Sequence, residues 1–307
     1  TDGGGLYHMS RDGGTSHYSA ENSSLTNNSI MSRKVDKRGR LWIATYLGGL
    51  MTYTSREGFR QFRDHETINT NKIISLEYSD DDDIIYAGTH GSGFAVIDAH
   101  EQKVIRTWAD DDNKWISTLY IDDTGLLWVG TYNGPMVYDN RVRRLLRYNT
   151  YDELATRVHS FHRSSDDNIW IGTGEGLTCL DRSSKSTVTY SMEDGLPSNI
   201  IQSAIDDEDG MIWIATESGI SRLDPQLGNV SNFSRYDGVT PTSYSEATCA
   251  SMSDGSILFG TLNGVYRVNP EDFSEILRDT RLAITGFSID GIRVPYGASE
   301  VIPHDYS

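Results

Sequence analysis

A chain of 307 residues, 37% hydrophobic and 10% aromatic, has the length of one or two domains and the large side chains for a packed core. Its net charge of −17 at pH 7 argues against a nucleic-acid partner and disfavours a strongly anionic ligand unless a local basic patch overrides the global field. No apolar stretch approaches the ~20 residues of a membrane-spanning helix, and the absence of a signal-peptide pattern means little, because residue 1 falls within a repeat.

In chain order, the first element is Thr1-Asp2-Gly3-Gly4-Gly5-Leu6, a small pattern that then recurs. The same threonine returns as Thr45, Thr89, Thr131, Thr173, Thr216 and Thr261, with a glycine and an apolar residue soon after. Ahead of each internal copy lies a short apolar run: Leu41-Trp42-Ile43-Ala44, Ile85-Tyr86-Ala87-Gly88, Leu127-Trp128-Val129-Gly130, Ile169-Trp170-Ile171-Gly172, Ile212-Trp213-Ile214-Ala215 and Ile257-Leu258-Phe259-Gly260. A period of about 40 to 45 residues marks a repeat architecture. It runs almost end to end without a linker. Cys179 and Cys249 fall in different repeats, too far apart for the ~7 Å Cα separation of a disulfide, and are expected as unpaired, buried thiols.

Residues 199–236 show what one repeat contains. Ile201, Ser203 and Ile205 alternate; Asp206-Asp207-Glu208-Asp209-Gly210 breaks the run; Ile212 to Thr216 forms a second run. Glu217-Ser218-Gly219 breaks that, and Ile220 to Leu223 and Val230 to Tyr236 follow. Short β-branched and aromatic runs bounded by Asp, Gly and Ser clusters read as strands joined by tight turns. Four strands per repeat, A to D from inside outward, predict a propeller blade. Trp42, Tyr86, Trp128, Trp170 and Trp213 sit mid-strand and are expected to fill the space between blades. Ser32, Ser75, Ser117, Ser160 and Ser203 form a second ladder on strand A, where a small residue relieves crowding near the axis. The acidic A–B turns, such as Asp36-Lys37-Arg38-Gly39 and Asp80 to Asp83, read as solvated turns. The latter lacks the spaced ligands of a calcium loop.

The fold expected is all-β: a seven-bladed β-propeller of four-stranded blades over residues 1–275. Its first blade is incomplete, because residue 1 falls where strand B ends and strand C begins, and the native polypeptide is expected to continue upstream. Residues 276–307 are assigned to the start of a further domain.

Gly39-Arg40-Leu41-Trp42-Ile43-Ala44-Thr45, Gly125 to Thr131 and Asn168 to Thr173 closely resemble the two-component regulator propeller repeat. Gly195-Leu196-Pro197-Ser198-Asn199 is similar to its interblade connector, and Tyr244 to Pro270 to its final blade. Leu282-Ala283-Ile284-Thr285-Gly286-Phe287-Ser288-Ile289-Asp290-Gly291 resembles the first strands of the immunoglobulin-like domain that follows in that family. Three departures are conservative: Tyr86 and Leu258 replace the usual Trp, and Ser92 is inserted in its turn. The resemblance implies the periplasmic sensor region of a Bacteroides-type hybrid two-component system. There, two propellers precede the immunoglobulin-like domain, a membrane helix and a histidine kinase. This chain would be the second propeller, with the preceding propeller and following domain as intrachain partners, a homodimer as the full receptor, and an oligosaccharide as ligand.

No nucleophile elbow, phosphate loop or paired-cysteine motif appears, and no metal or cofactor is expected. His159 and His162 are three apart on a strand and face opposite ways. A propeller-type polysaccharide lyase or glycoside hydrolase is the alternative, needing two carboxylates, or a His with an acid or Tyr, converging on one loop face. A protein-interaction scaffold is disfavoured by the missing Gly-His and Trp-Asp repeats. Ligands of propellers gather where B–C turns and D–A connectors surround the central opening. After the ladder threonines stand Tyr46, His90, Tyr132, Gly174 and Glu217, with Glu175 one place on. The connectors offer Asn28, Asn71, Trp115, Arg157 and Tyr244. A sugar site needs aromatic faces and fixed polar groups, which selects Tyr46, Asn71, His90, Trp115, Tyr132, Arg157, Glu175 and Glu217 as candidate ligand-binding residues, with none catalytic.

Overall fold

The computed structural model describes residues 1–273 except 2, 11, 110, 112, 147–153, 235–236 and 240–242, together with 288–289 and 292–293. The chain divides into two compact units, Thr1–Val268 and Asn269–Ser307. The first is a β-propeller. It opens with a two-stranded hairpin, β1 (Leu6–Met9) and β2 (Thr15–Tyr18). Five four-stranded antiparallel blades follow. They are β3–β6 (Ile30–Val35, Leu41–Thr45, Gly49–Thr54, Gly58–Gln61), β7–β10 (Ile73–Ser79, Ile84–Thr89, Phe94–Asp98, Lys103–Trp108) and β11–β14 (Ile116–Ile121, Leu127–Thr131, Gly134–Asp139, Arg144–Leu146). Then come β15–β18 (Val158–Arg163, Ile169–Thr173, Leu177–Leu180, Thr187–Tyr190) and β19–β22 (Ile201–Asp206, Ile212–Thr216, Gly219–Asp224, Asn229–Phe233). A three-stranded sheet, β23–β25 (Tyr244–Ser251, Ile257–Thr261, Gly264–Val268), completes the unit. The innermost strands β3, β7, β11, β15, β19 and β23 pack side by side in that order.

Among the described residues the blade count is therefore six, not seven. The threonine ladder counts B–C turns, and its first copy, Thr1, precedes only the β1–β2 hairpin. That hairpin packs Leu6 and Tyr18 against Tyr53 and Phe59 of the next blade, as the outer half of a blade would. In the second unit the described strands are β26 (Ser288–Ile289) and β27 (Ile292–Arg293), paired antiparallel. The remainder of the immunoglobulin-like stretch expected over 276–307 lies outside the described residues.

The ladder threonine has a specific task. Its hydroxyl donates to a glycine carbonyl across the B–C turn: Thr45 to Gly49 (2.7 Å), Thr89 to Gly93 (2.7 Å), Thr131 to Gly134 (2.8 Å), Thr173 to Gly176 (3.0 Å), Thr216 to Gly219 (3.0 Å) and Thr261 to Gly264 (3.1 Å). In the later turns the same oxygen accepts from a backbone amide, as from Ser218 and Glu175. A buried hydroxyl used both ways leaves the turn with no orphaned group, so only Thr or Ser fits.

Four of the mid-strand aromatics share a core cluster with the blade that follows. Trp42 meets Ile73, Leu76 and Ile85; Tyr86 meets Ile116 and Leu127; Trp128 meets Val158 and Ile169; Trp170 meets Ile201 and Ile212. The indole N–H groups are held by the A–B turns. Trp42, Trp128 and Trp213 donate to Asp36 (3.0 Å), Asp122 (2.9 Å) and Asp207 (2.7 Å), and Trp170 to the Ser164 hydroxyl (3.0 Å). Asp36 and Asp122 are buried. The reading of these two turns as solvated is thus corrected, since Asp36 and Asp122 are structural acceptors inside the blade, whereas Asp80 to Asp82 are exposed as expected.

Two other expectations change. Strand A carries a one-residue bulge in the first five blades, and in β11 the bulged residue is Ser117, so Thr118 takes the ladder position. Ser32 and Ser75 accept from the Leu76 and Leu119 amides of the next blade, 3.1 Å each, which makes them ties rather than spacers. Cys179 and Cys249 are unpaired as expected but only partly buried.

His162 and Asp206 form another interblade tie, at 2.7 Å, and Asp206 also accepts from the Ser165 amide. Burial pulls the Asp206 carboxyl up, but the hydrogen bonds from His162 and Ser165 outweigh it and hold it at about 2. A folded value below the ordinary 3.8 means that this stabilisation is complete above that pH and is lost as pH falls towards about 2. Replacing His162 by Phe is expected to raise the Asp206 titration, followed by carboxyl NMR, and to move acid unfolding to higher pH. An unchanged Asp206 titration in the variant would assign its depression to the Ser165 contact alone.

Candidate functional site

At the B–C end of the propeller, the amide of the residue after five of the ladder threonines donates to the carbonyl of the residue before strand A. Tyr46 pairs with Ser29 (3.0 Å), His90 with Lys72 (3.0 Å), Tyr132 with Trp115 (3.2 Å), Glu217 with Ile200 (3.0 Å) and Leu262 with Ser243 (3.0 Å). Turn and connector residues thereby alternate around one rim. The repeat fixes the backbone and leaves the side chains free to differ.

On three successive blades those side chains form an aromatic cluster. His90 lies at its centre, with ring centroids 4.4 Å from Trp115, 5.7 Å from Tyr132 and 6.3 Å from Tyr46. Its Nε2 is 3.3 Å from the Tyr132 hydroxyl. Trp115 and Tyr132 are each 39% exposed, leaving apolar ring faces open to solvent. Two cations flank the cluster: the Lys72 ammonium is 5.9 Å from the Tyr46 ring centre, and the Arg157 guanidinium is 4.7 Å from that of Tyr132. Both distances are in cation–π range. Burial first, then the Lys72 and Arg157 charges, push His90 below the ordinary histidine range, so the ring is neutral at neutral pH. Its Nδ1 and the Arg157 Nε are both buried without a hydrogen-bond partner.

Arg157 makes one further contact. Its Nη2 donates to Glu246 at 2.6 Å, joining blades that are not neighbours in sequence. Glu246 reaches it through an irregularity confined to the last blade. Where β19 opposes Ile201–Ser203 to Ala215–Thr216, β23 opposes Tyr244–Cys249 to Phe259–Thr261, and Ala247 takes φ 50° within that extra loop.

Of the residues proposed from sequence, Tyr46, His90, Trp115, Tyr132 and Arg157 come together. Asn71 stands exposed just before Lys72, and it is its backbone carbonyl that is engaged, by the Gly49 amide at 3.0 Å. Glu175 and Glu217 are exposed on their own turns, and the described contacts join neither to the cluster. Trp115 is in phase with Ser29 and Lys72, not with Ile73, Val158 and Ile201, which match Ile116. Lys72 and Glu246 were not anticipated; counting back one residue from strand A would have found Lys72. Among the described residues there is no cluster of three metal-ligating side chains, and no helix is long and apolar enough to cross a membrane. A separate hollow of about 420 Å³ opens between the β15–β18 and β19–β22 blades at the A–B end, lined by Asn168, Trp170, Tyr190, Glu208 and Met211 among others. Several of its polar groups are already committed to turns.

Residues 24–47, 110–133 and 195–218 match the family described as two component regulator propeller. No curated protein sequence matches the chain. Among solved structures, the extracellular domain of BT3049, assigned to a hybrid two-component system of B. thetaiotaomicron, is similar over 98% of this chain, with 25% identity and a TM-score of 0.76. The present chain spans 42% of that domain's length. Virginiamycin B lyase from Staphylococcus aureus shares the fold at 11% identity and a TM-score of 0.60, covering 79% of this chain and 82% of its own.

Proposed function

We propose, from the premise that this chain carries repeats of the two-component regulator propeller family, that it is the ligand-sensing propeller of a hybrid two-component sensor histidine kinase, placed in the periplasm, and that it recognises an oligosaccharide. The observation that carries this is the rim cluster. Trp115 and Tyr132 offer exposed aromatic faces, while the His90 Nδ1 and Arg157 Nε are polar groups without partners. Buried polar groups are normally satisfied, and aromatic faces with a few fixed donors are what a sugar ring requires. In the intact receptor the neighbouring propeller, the immunoglobulin-like domain and a second copy are the proposed partners. Binding would shift their arrangement only through different affinity for the two states.

One observation favours the alternative of a polysaccharide lyase. A neutral His90 beside a Tyr132 hydroxyl, next to Arg157, supplies a base, an acid and a cation on one face. Incubation with a panel of oligosaccharides separates the two readings. The sensor reading expects binding, seen by calorimetry and weakened at least tenfold by Trp115→Ala, an aromatic stacking contact, with every sugar recovered intact. Release of an unsaturated sugar, lost in His90→Ala, would replace the sensor by the lyase. Binding indifferent to Trp115→Ala would move the site elsewhere.

A further inference from the structure

We propose that the rim cluster takes an acidic oligosaccharide, and that Glu246 is the internal carboxylate which the ligand's acid group displaces from Arg157. This deepens the ligand-binding reading above and rests on it. The chain carries a net charge of −17, so its overall field repels anions. Within the cluster the balance is reversed. Lys72 has no carboxylate within ion-pair distance among the described residues and sits against the Tyr46 ring. Arg157 uses its guanidinium fork on one side only, with Nη2 on Glu246 and Nε buried and unpaired. A carboxylate accepts from such a fork with two parallel bonds, so the present contact leaves half of its capacity unused.

A neutral sugar has no need of two cations placed either side of a neutral histidine. An acidic one meets each part of the cluster with a matching group. Its ring lies on Trp115 or Tyr132, and its acid meets Arg157 with Lys72 nearby. Glu246 is a suitable stand-in for that acid. It comes from a different blade, on an extra loop that places Ala247 at φ 50°, a conformation which L residues rarely adopt. At 36% side-chain exposure Glu246 is also free to move to solvent once displaced.

Calorimetry on the 307-residue chain at low salt tests this, using tri-galacturonic acid and tri-mannuronic acid, their methyl esters, and maltotriose. At least one acid trimer is expected to bind, at least about tenfold more tightly than its ester, with affinity falling as salt is raised. Arg157→Gln and Lys72→Gln should each weaken it roughly tenfold while leaving the thermal melt unchanged. Glu246→Gln should tighten it about fivefold by removing the internal competitor. Esters or maltotriose binding as well as the acids, and losing affinity in Trp115→Ala, would overturn the acidic class while leaving a sugar site in place. Weaker binding in Glu246→Gln would overturn its role as the displaced group. No binding by any probe would overturn both this inference and the reading beneath it.

Discussion

Replacing Asp122 by alanine is expected to lower the unfolding free energy by about 3–5 kcal/mol. The carboxylate has no solvent exposure, and its contacts are spread over four kinds of donor. Oδ1 accepts from the Thr124 amide (2.9 Å), the Thr124 hydroxyl (2.6 Å) and the Leu126 amide (3.0 Å). Oδ2 accepts from the Trp128 indole (2.9 Å) and lies 3.4 Å from Arg182, a residue of the following blade. Alanine would withdraw the acceptor from all of them, and unpaired buried donors are costlier than the bonds were favourable. Asparagine keeps one acceptor oxygen for the turn amides but turns an N–H₂ towards an N–H at the indole, so a smaller loss is expected. Urea unfolding of the two variants checks the order. A loss under about 1 kcal/mol for alanine, the range of surface substitutions, would mean that the turn stands without its acid.

This acid shows where sequence reading stops. A run such as Asp122-Asp123-Thr124-Gly125 has the composition of an exposed turn, and its second acid does lie nearer solvent. What separates the two is a fixed distance of six residues to the indole: Asp36 to Trp42, Asp122 to Trp128, Asp207 to Trp213, and Ser164 to Trp170. That spacing is visible in the sequence, but its meaning depends on knowing that the hairpin folds the turn back over the ring. The blades themselves were legible because burial on both sheet faces imposes the same apolar run each time. Their number was not, since Thr1 marks a turn that precedes only a two-stranded hairpin and not a full blade.

The rim was legible in part for the same reason. Tyr46, His90 and Tyr132 occupy one register position after the threonine, and any side chains there must share a rim. Trp115 and Lys72 occupy the matching position on the connectors, but connector length varies, and a slip of one residue put Asn71 forward in place of Lys72. Glu246 had no readable signal. Its position depends on extra residues that break the register of β23, and nothing in Ser243-Tyr244-Ser245-Glu246 indicates which residue will turn inward.

A second large effect is expected at Gly93, where fold and cluster depend on the same turn. Gly93→Ala should destabilise by more than about 2 kcal/mol and weaken the proposed ligand binding at the rim in the same variant. The residue has φ 71°, and a Cβ there would run into the backbone carbonyl of Trp108 on the neighbouring strand. A backbone carbonyl cannot swing aside as a side chain can. The strain therefore passes into the turn from Thr89 to Gly93, which, like that from Thr45 to Gly49, is one residue longer than the later turns. Within that turn the Gly93 carbonyl receives both the Thr89 amide and hydroxyl, at 2.8 and 2.7 Å. The Gly93 and Gly91 amides donate to the Lys114 carbonyl at 2.9 and 3.2 Å, immediately before Trp115. The bonds that close the turn are thus the ones that bring the Trp115 connector against His90. Displacing Gly93 should separate the two rings, which are 4.4 Å apart, as well as loosen the blade. Unfolding midpoints and sugar calorimetry measured on the one protein distinguish the outcomes: stability lost with binding intact would show that the ring pair is held by its own packing, and that the turn serves the fold alone.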